Sequence, residues 1–181
     1  MDPSQVIRDS NGAFRCRECG FRYALSAGEM VDVCTDTVVR FRQAALAIPT
    51  ELRGRRTAPA VWSPNAYCAH MADAAELIES RVRRMATEER PFLAGYDQDQ
   101  AAELGRFDER PVEPSLQRID SAVAHFVALV CGLPGDGWQR IGAHEEAGDV
   151  KLRDIAHDMP HELTHHTADL QRIGAELQQP R

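Results

Sequence analysis

The sequence predicts an all-α protein, a four-helix bundle preceded by a small Cys-x-x-Cys knuckle. Four amphipathic segments, each with apolar residues three and four positions apart, follow one another along the 181 residues. Outside the knuckle, no run of residues alternates apolar and polar side chains as a half-buried strand does. The chain is long enough for one core, so we expect a knuckle over residues 1–25 and the bundle over residues 26–181.

The first two helices are marked by their start and stop residues. Ser26 and Glu29 form a capping-box pattern, and the apolar spacing then continues until Pro49. A polar linker follows. Ser63 is the expected N-cap of the second helix, because the proline after it suits the first helical position, and Pro91 ends that helix.

The third and fourth helices are separated from the rest by turn-rich connections. Residues 92–114 are acidic and rich in proline, and we expect a long connection with one helical turn, which could act as a lid. The third helix is expected to run from Ser115 to Gly132. Asp149 is the expected N-cap of the fourth helix, whose apolar residues continue to Leu177.

Composition and charge exclude several kinds of partner. With 21 basic and 28 acidic residues, the net charge is −7, which argues against binding to nucleic acid or to an anionic membrane. The longest apolar stretch, residues 122–133, is too short to cross a bilayer. We therefore expect a cytoplasmic protein whose partner is a small-molecule substrate, and a homodimer stays open.

The fourth helix carries the most informative pattern. On a helical wheel, its apolar residues fall within an arc of about 80°, His166 lies inside that arc, and Glu162 lies about 20° beyond its edge. These two residues are four apart, so their side chains can converge on one point. An inward carboxylate beside an inward imidazole is typical of metal ligands, although a buried hydrogen-bonded pair is the alternative. His157 and His161 project to the opposite face, and His165 lies at the side.

A catalytic zinc site needs a further protein ligand from a facing helix. His70, at the flank of the apolar stripe of the second helix, is the candidate. Asp73 and Asp169, each three residues after a proposed histidine ligand, are placed to accept hydrogen bonds from the imidazoles. A rival ligand set is the histidine-rich face of the fourth helix, namely His157, His161 and His165.

Two segments carry a family resemblance. Residues 62–73 (WSPNAYCAHMAD) and 160–170 (PHELTHHTADL) resemble the DinB-like superfamily of metal-binding four-helix bundles, which includes bacterial thiol transferases and the mycothiol-dependent maleylpyruvate isomerase type. Many members use three histidines. The isomerase type instead has Glu and His on the fourth helix, followed by Asp-Leu, and this chain has the same pattern. The resemblance implies that His70, Glu162 and His166 bind a divalent metal, zinc.

The chain departs from the family pattern at Pro160, two residues before the proposed Glu162 ligand. A proline there removes one helical hydrogen bond and clashes with the carbonyl of Ala156, so we expect the helix to kink or restart. The position of the ligands could shift accordingly. His161 and His165 therefore stay open as alternative ligands.

The five cysteines are an odd number, which favours reduced thiols or a metal over disulfides. Cys16 and Cys19 form a Cys-x-x-Cys-Gly turn that resembles half of a zinc-ribbon or rubredoxin-like site. Cys34 is the one nearby thiol, and no fourth ligand is evident. A second metal, a reduced pair and a redox dithiol are the open interpretations. We expect Cys68 and Cys131 to be buried.

Three functions follow from these observations. The resemblance implies a metal-dependent transferase or isomerase that uses a thiol cosubstrate of the mycothiol type. The alternative is a thiol-independent, metal-dependent lyase, cyclase or hydrolase that acts on a small metabolite. The third is a non-catalytic binding protein whose knuckle recruits a partner.

Overall fold

The computed structural model describes residues 6–8 and 13–179. Helices dominate these residues, and the predicted all-α class is confirmed. In chain order the elements are β1 (Val6–Arg8), β2 (Phe14–Cys16), α1 (Ala27–Leu46), α2 (Pro64–Thr87), β3 (Phe92–Leu93), α3 (Gln98–Leu104), α4 (Val112–Gly132), β4 (Ile141–His144), β5 (Gly148–Lys151), α5 (Leu152–Ala156) and α6 (Asp158–Leu177).

The long helices α1, α2, α4 and α6 form the bundle. Helix α1 packs against α4 and α6, and α2 packs against the same two helices. The order around the bundle is therefore α1, α4, α2, α6, so α1 and α2 lie on a diagonal although they follow each other in sequence. Large apolar side chains from all four helices fill the centre, including Phe41, Ile78, Phe126 and Leu163.

The predicted helix starts at Ser26 and Ser63 are confirmed. Ser26 Oγ accepts the Glu29 N–H at 3.3 Å, and Glu29 Oε2 accepts the Ser26 N–H at 2.7 Å, which completes the capping box. Ser63 Oγ accepts the Ala66 N–H at 3.1 Å, and the first residue of α2 is a proline. These caps satisfy N–H groups that have no partner within the helix.

The third bundle helix begins earlier than predicted. Helix α4 starts at Val112 rather than at the expected Ser115, and Pro111 is its N-cap. Pro114 is the third residue of the helix, where no intrahelical N–H bond is needed, so it does not interrupt the first turn. The connection before it is also more ordered than expected, since it contains β3 and the two-turn helix α3.

A small sheet occupies a region that the sequence predicts only as turns. Strands β4 and β5 pair antiparallel, and β3 adds to β4 in parallel. Asp149 lies in β5, so its predicted role as the N-cap of the fourth helix is wrong. Strands of two to four residues are too short for an alternating pattern to be visible in the sequence.

The predicted restart of the fourth helix is confirmed. The apolar pattern begins in α5, and the helix restarts as α6 at Asp158, after a break at His157. Pro160 is the third residue of α6, where its missing N–H leaves no helical bond unmade. The restart thus places the proline in a first turn instead of a helix interior.

The N-terminal knuckle packs on α6. Strands β1 and β2 pair antiparallel, and Gly20, whose φ is +73°, allows the tight turn after the second cysteine. The Phe21 ring lies 5.6 Å from the His161 ring, measured between centroids. Residues 1–5 and 9–12 of the predicted 1–25 knuckle lie outside the described residues. Among the described helices, none is long and apolar enough to cross a membrane.

Candidate metal centre

Three predicted ligands lie together where α2 faces α6. Glu162 Oε2 lies 3.6 Å from His70 Nε2 and 3.2 Å from His166 Nε2. One potential ligand atom from each of the three residues lies within 4.8 Å of the others. We call this group the inner triad: His70, Glu162 and His166.

His70 is buried, and no other described residue forms a hydrogen bond with its side chain. Its exposed fraction is 2%, and neither ring nitrogen forms a hydrogen bond within the described residues. The Trp62 ring packs against it at a centroid distance of 4.9 Å. A buried imidazole with both nitrogens unpaired is unfavourable, and a cation beside Glu162 would give one nitrogen a partner. Two imidazoles and a carboxylate are also a typical ligand set of catalytic zinc, so the residues present fit such an ion.

The electrostatics favour the ligand form of Glu162 and His70, whereas hydrogen bonds with Asp169 and Glu162 raise the pKa of His166 despite its burial. Burial alone would raise the pKa of Glu162, but hydrogen bonds with His161 and His166 hold that pKa well below its usual range. Burial lowers the pKa of His70. A carboxylate and a neutral imidazole are the protonation states that metal binding requires.

The two predicted hydrogen-bond acceptors have different environments. Asp169 Oδ2 accepts from His166 Nδ1 at 3.0 Å, as the sequence predicts. Asp73 does not bond His70. Its carboxylate accepts from Arg118 at 2.7 Å instead, because α4 brings that guanidinium to the flank of α2. The predicted hydrogen bond from His70 to Asp73 is therefore wrong. The sequence of α2 does not show that α4 places Arg118 beside Asp73.

A cavity of about 420 Å³ borders the inner triad. His70 and Glu162 line it from the bundle, and Tyr23 lines it from the knuckle. Two further lining groups, Arg81 Nε and Tyr96 Oη, are buried and form no hydrogen bond within the described part of the chain. Donors of this kind are suited to oxygen atoms of a bound molecule.

The histidine-rich face, which begins at His157 just before α6, is buried rather than outward. His157 and His161 are 2% and 7% exposed, because the knuckle covers them. The Leu25 N–H donates to His157 Nε2 at 3.0 Å, and His157 Nδ1 donates to the Arg153 carbonyl at 2.6 Å. Both nitrogens of His157 are thus in use. The outward placement is wrong, and His157 is left out of the rival ligand set.

The knuckle cysteines lie beside the other two histidines of that face. One potential ligand atom from each of four residues lies within 4.8 Å of the others. We call this group the knuckle cluster: Cys16, Cys19, His161 and His165. Burial opposes ionisation of Cys19, but hydrogen bonds with the two histidines lower its pKa to about 5.

The remaining cysteines lie away from this cluster. Cys34, considered above as a third thiol ligand, is fully buried in the apolar core, where burial raises its pKa to about 12. Cys68 is buried as predicted. Cys131 is exposed, so its predicted burial is wrong, because α4 presents it on the solvent side of its last turn.

The sequence shows both halves of the knuckle cluster, the two cysteines and the two histidines, but does not indicate that they lie together. A Cys-x-x-Cys pair followed by a His-x-x-x-His pair is a known zinc-ligand spacing, and this was the available signal. His144 ends β4 and also lines the cavity. No sequence signal indicated that position, since the four-residue strand is not visible as a pattern.

Two solved structures share this fold at low sequence identity. YfiT from Bacillus subtilis, described as a probable metal-dependent hydrolase with an unusual four-helix bundle topology, matches with a TM-score of 0.78 and 18% identity over 91% of this chain and 94% of that chain. The mycothiol-dependent maleylpyruvate isomerase matches with a TM-score of 0.66 and 14% identity, over 81% of this chain and 61% of that chain. At such identities the likeness shows the fold alone.

The comparison with protein families is more specific. No curated protein matches the chain. The model of the DinB superfamily matches residues 35–170, three quarters of the sequence, and this range contains the whole inner triad. The chain therefore belongs to the DinB superfamily.

Proposed function

We propose that this protein is a metal-dependent enzyme that acts on a small molecule and holds a divalent cation, zinc, at the inner triad. The observation that carries the proposal is His70, which is buried with no hydrogen-bond partner among the described residues, 3.6 Å from the Glu162 carboxylate and at the wall of a cavity. Three protein ligands leave a coordination position open for a reacting molecule, as catalytic sites do.

The residues around the cavity have distinct roles in this proposal. When bound, the cation supplies Lewis acidity, which lowers the pKa of a thiol or polarises a carbonyl. Asp169 orients the His166 ring by accepting its N–H. Arg81 Nε and Tyr96 Oη donate to the oxygen atoms of an anionic or carbonyl-bearing substrate, because these two buried donors have no partner within the described chain.

The first candidate reaction is a transfer or isomerisation that depends on a thiol cosubstrate of the mycothiol type. It is supported by the order of Glu162, His166 and Asp169 on α6, which resembles the pattern of the maleylpyruvate isomerase type. The isomerase also shares the fold. We place the reaction in the cytoplasm, where thiols stay reduced, and all five cysteines are free in the structure.

The second candidate is metal-dependent chemistry without a thiol, with hydrolysis before lyase or cyclase reactions. It is supported by YfiT, which is described as a probable metal-dependent hydrolase and matches nearly the whole of both chains. The two candidates share the inner triad. They differ in whether the cavity must also admit a thiol cosubstrate.

Metal content and turnover of a panel of small electrophiles and esters test the proposal. We expect the purified wild-type chain to hold zinc at the inner triad and His70→Ala to lose that zinc and the activity. His125→Ala, which replaces an exposed histidine on α4, is the matched control and should keep both. Full zinc content in His70→Ala would contradict the proposed ligand set. Turnover that needs added mycothiol supports the first candidate, and turnover without any thiol supports the second.

A further inference from the structure

We propose that the knuckle cluster binds a structural zinc ion, separate from the cation of the inner triad. Its four side chains supply two thiolates and two imidazoles, which is a ligand set of closed, tetrahedral zinc sites. Cys16 Sγ lies 3.6 Å from His165 Nδ1, and all four potential ligand atoms are within 4.8 Å of one another. No open coordination position remains once four protein ligands are bound, so the site is structural.

The chain builds each half of the cluster by local structure. Cys16 ends β2, and its carbonyl accepts the Gly20 N–H at 3.1 Å, so the turn brings Cys19 back to the same side. His161 and His165 are one helical turn apart on α6, which places both imidazoles on one face. The two pairs meet because the knuckle packs on the stretch of α6 that carries His161 and His165.

The histidines of the cluster leave a nitrogen for the metal. His161 Nε2 is buried with no hydrogen-bond partner in the described chain, whereas its Nδ1 lies 3.1 Å from Glu162 Oε1. His165 directs Nδ1 at Cys16, and its Nε2 lies 3.3 Å from Glu18 Oε2. Each imidazole therefore has one nitrogen at a carboxylate and the other at the thiols. This carboxylate–histidine–metal arrangement is typical of zinc sites in proteins.

The proposed zinc would also support the inner triad. His161 holds one carboxylate oxygen of Glu162, while the other oxygen faces His70 and His166. Cys16 and Tyr23 form part of the cavity wall. Zinc bound to the knuckle cluster would therefore fix both that wall and the Glu162 carboxylate, which is a role for the knuckle that the bundle alone cannot fill.

Titration of the metal-free, full-length chain with cobalt(II) tests the site. Cobalt bound to thiolates gives an intense charge-transfer absorption, which a site of histidine and carboxylate ligands does not give. We expect this absorption in the wild type and in His70→Ala, and its loss in Cys16→Ser/Cys19→Ser. Zinc analysis should show two ions per wild-type chain and one in each of these two variants. Cys131→Ser, which replaces an exposed thiol, is the control and should match the wild type.

Other outcomes would overturn the proposal and leave the inner triad untouched. One zinc per wild-type chain without the charge-transfer absorption means that the cysteines bind no metal. A Cys16–Cys19 disulfide in the purified chain, with no second metal, means a redox dithiol. Should the double variant fail to fold, alkylation of the wild type decides instead. If the proposal is correct, bound zinc protects Cys16 and Cys19 from alkylation while Cys131 reacts. Alkylation of Cys16 and Cys19 in the presence of zinc would refute the site.

Discussion

Asp169 connects the two groups of histidines on α6. Its Oδ2 lies 3.0 Å from His166 Nδ1 and 3.6 Å from His165 Nε2, while Oδ1 accepts from Arg172 at 2.8 Å. The hydrogen bond from His166 Nδ1 to Asp169 fixes the orientation of the His166 ring and makes Nε2 of that ring a stronger metal ligand. A single carboxylate thus positions one ligand of the inner triad and lies close to one of the knuckle cluster.

Replacing Asp169 tests this role at the level of one residue. We expect Asp169→Asn to lower the zinc affinity of the inner triad by roughly 10- to 100-fold, because the charged acceptor behind His166 is lost. Competition with a chromophoric chelator in the Cys16→Ser/Cys19→Ser background measures this affinity alone. Asp73→Asn is the control, since Asp73 pairs with Arg118 and not with His70. An equal loss of affinity in both variants would contradict the assignment.

The connection between α1 and α2 has to cross the end of the bundle, because these helices lie on a diagonal. Arg53 holds this connection in place. Its guanidinium donates to the carbonyl of Leu46, the last residue of α1, to the carbonyl of Ile48 just after that helix, and to Glu113 on α4. The last carbonyls of a helix have no partner within it, so this buried arginine satisfies groups that would otherwise be unpaired.

Removing Arg53 should destabilise the connection between α1 and α2 and so lower the stability of the protein. We expect Arg53→Ala to lower the free energy of unfolding by about 2 to 3 kcal/mol, because buried carbonyls lose a charged donor. Urea denaturation followed by circular dichroism measures the change. Arg55→Ala, at an exposed position two residues on, should leave the midpoint nearly unchanged. Equal midpoints for Arg53→Ala and wild type would show that the connection does not depend on Arg53.

The stability of the whole molecule comes from an apolar core that does not involve the metal ligands. Residues such as Phe41, Ile119, Phe126 and Leu170 are fully buried at the centre of the bundle. The inner triad and the knuckle cluster lie toward one end of α6. We therefore expect metals to add to the stability of an already folded bundle instead of creating the fold.

Removing metal with a chelator tests this division. The helical circular-dichroism signal at 25 °C should change little. The melting temperature should fall by roughly 10 °C for each ion removed, because a metal at about a thousand times its Kd contributes about 4 kcal/mol, and each kcal/mol shifts a domain of this size by about 2 to 4 °C. Returning zinc should restore it. Loss of the helical signal on chelation would show that the metals are needed for the fold itself.

The sequence by itself determined the bundle class, the helix starts at Ser26 and Ser63, the restart near Pro160 and the pairing of Glu162 with His166. These features depend on contacts between residues a few positions apart, which caps, proline geometry and the helical repeat specify locally. Local sequence patterns do not predict the short strands around Asp149. These strands are stabilised by pairing with each other, and neither is long enough to show an alternating pattern.

Only the tertiary structure decided what covers the other face of α6. The helical wheel predicts that His161 faces outward, but in the structure the knuckle covers it. Cys16 and His165, which are 149 positions apart in the sequence, therefore lie in contact. The partner of Asp73 was decided in the same way, by the residue that α4 happens to present. The path of the chain between distant segments sets such contacts, and it depends on how all four helices share one core.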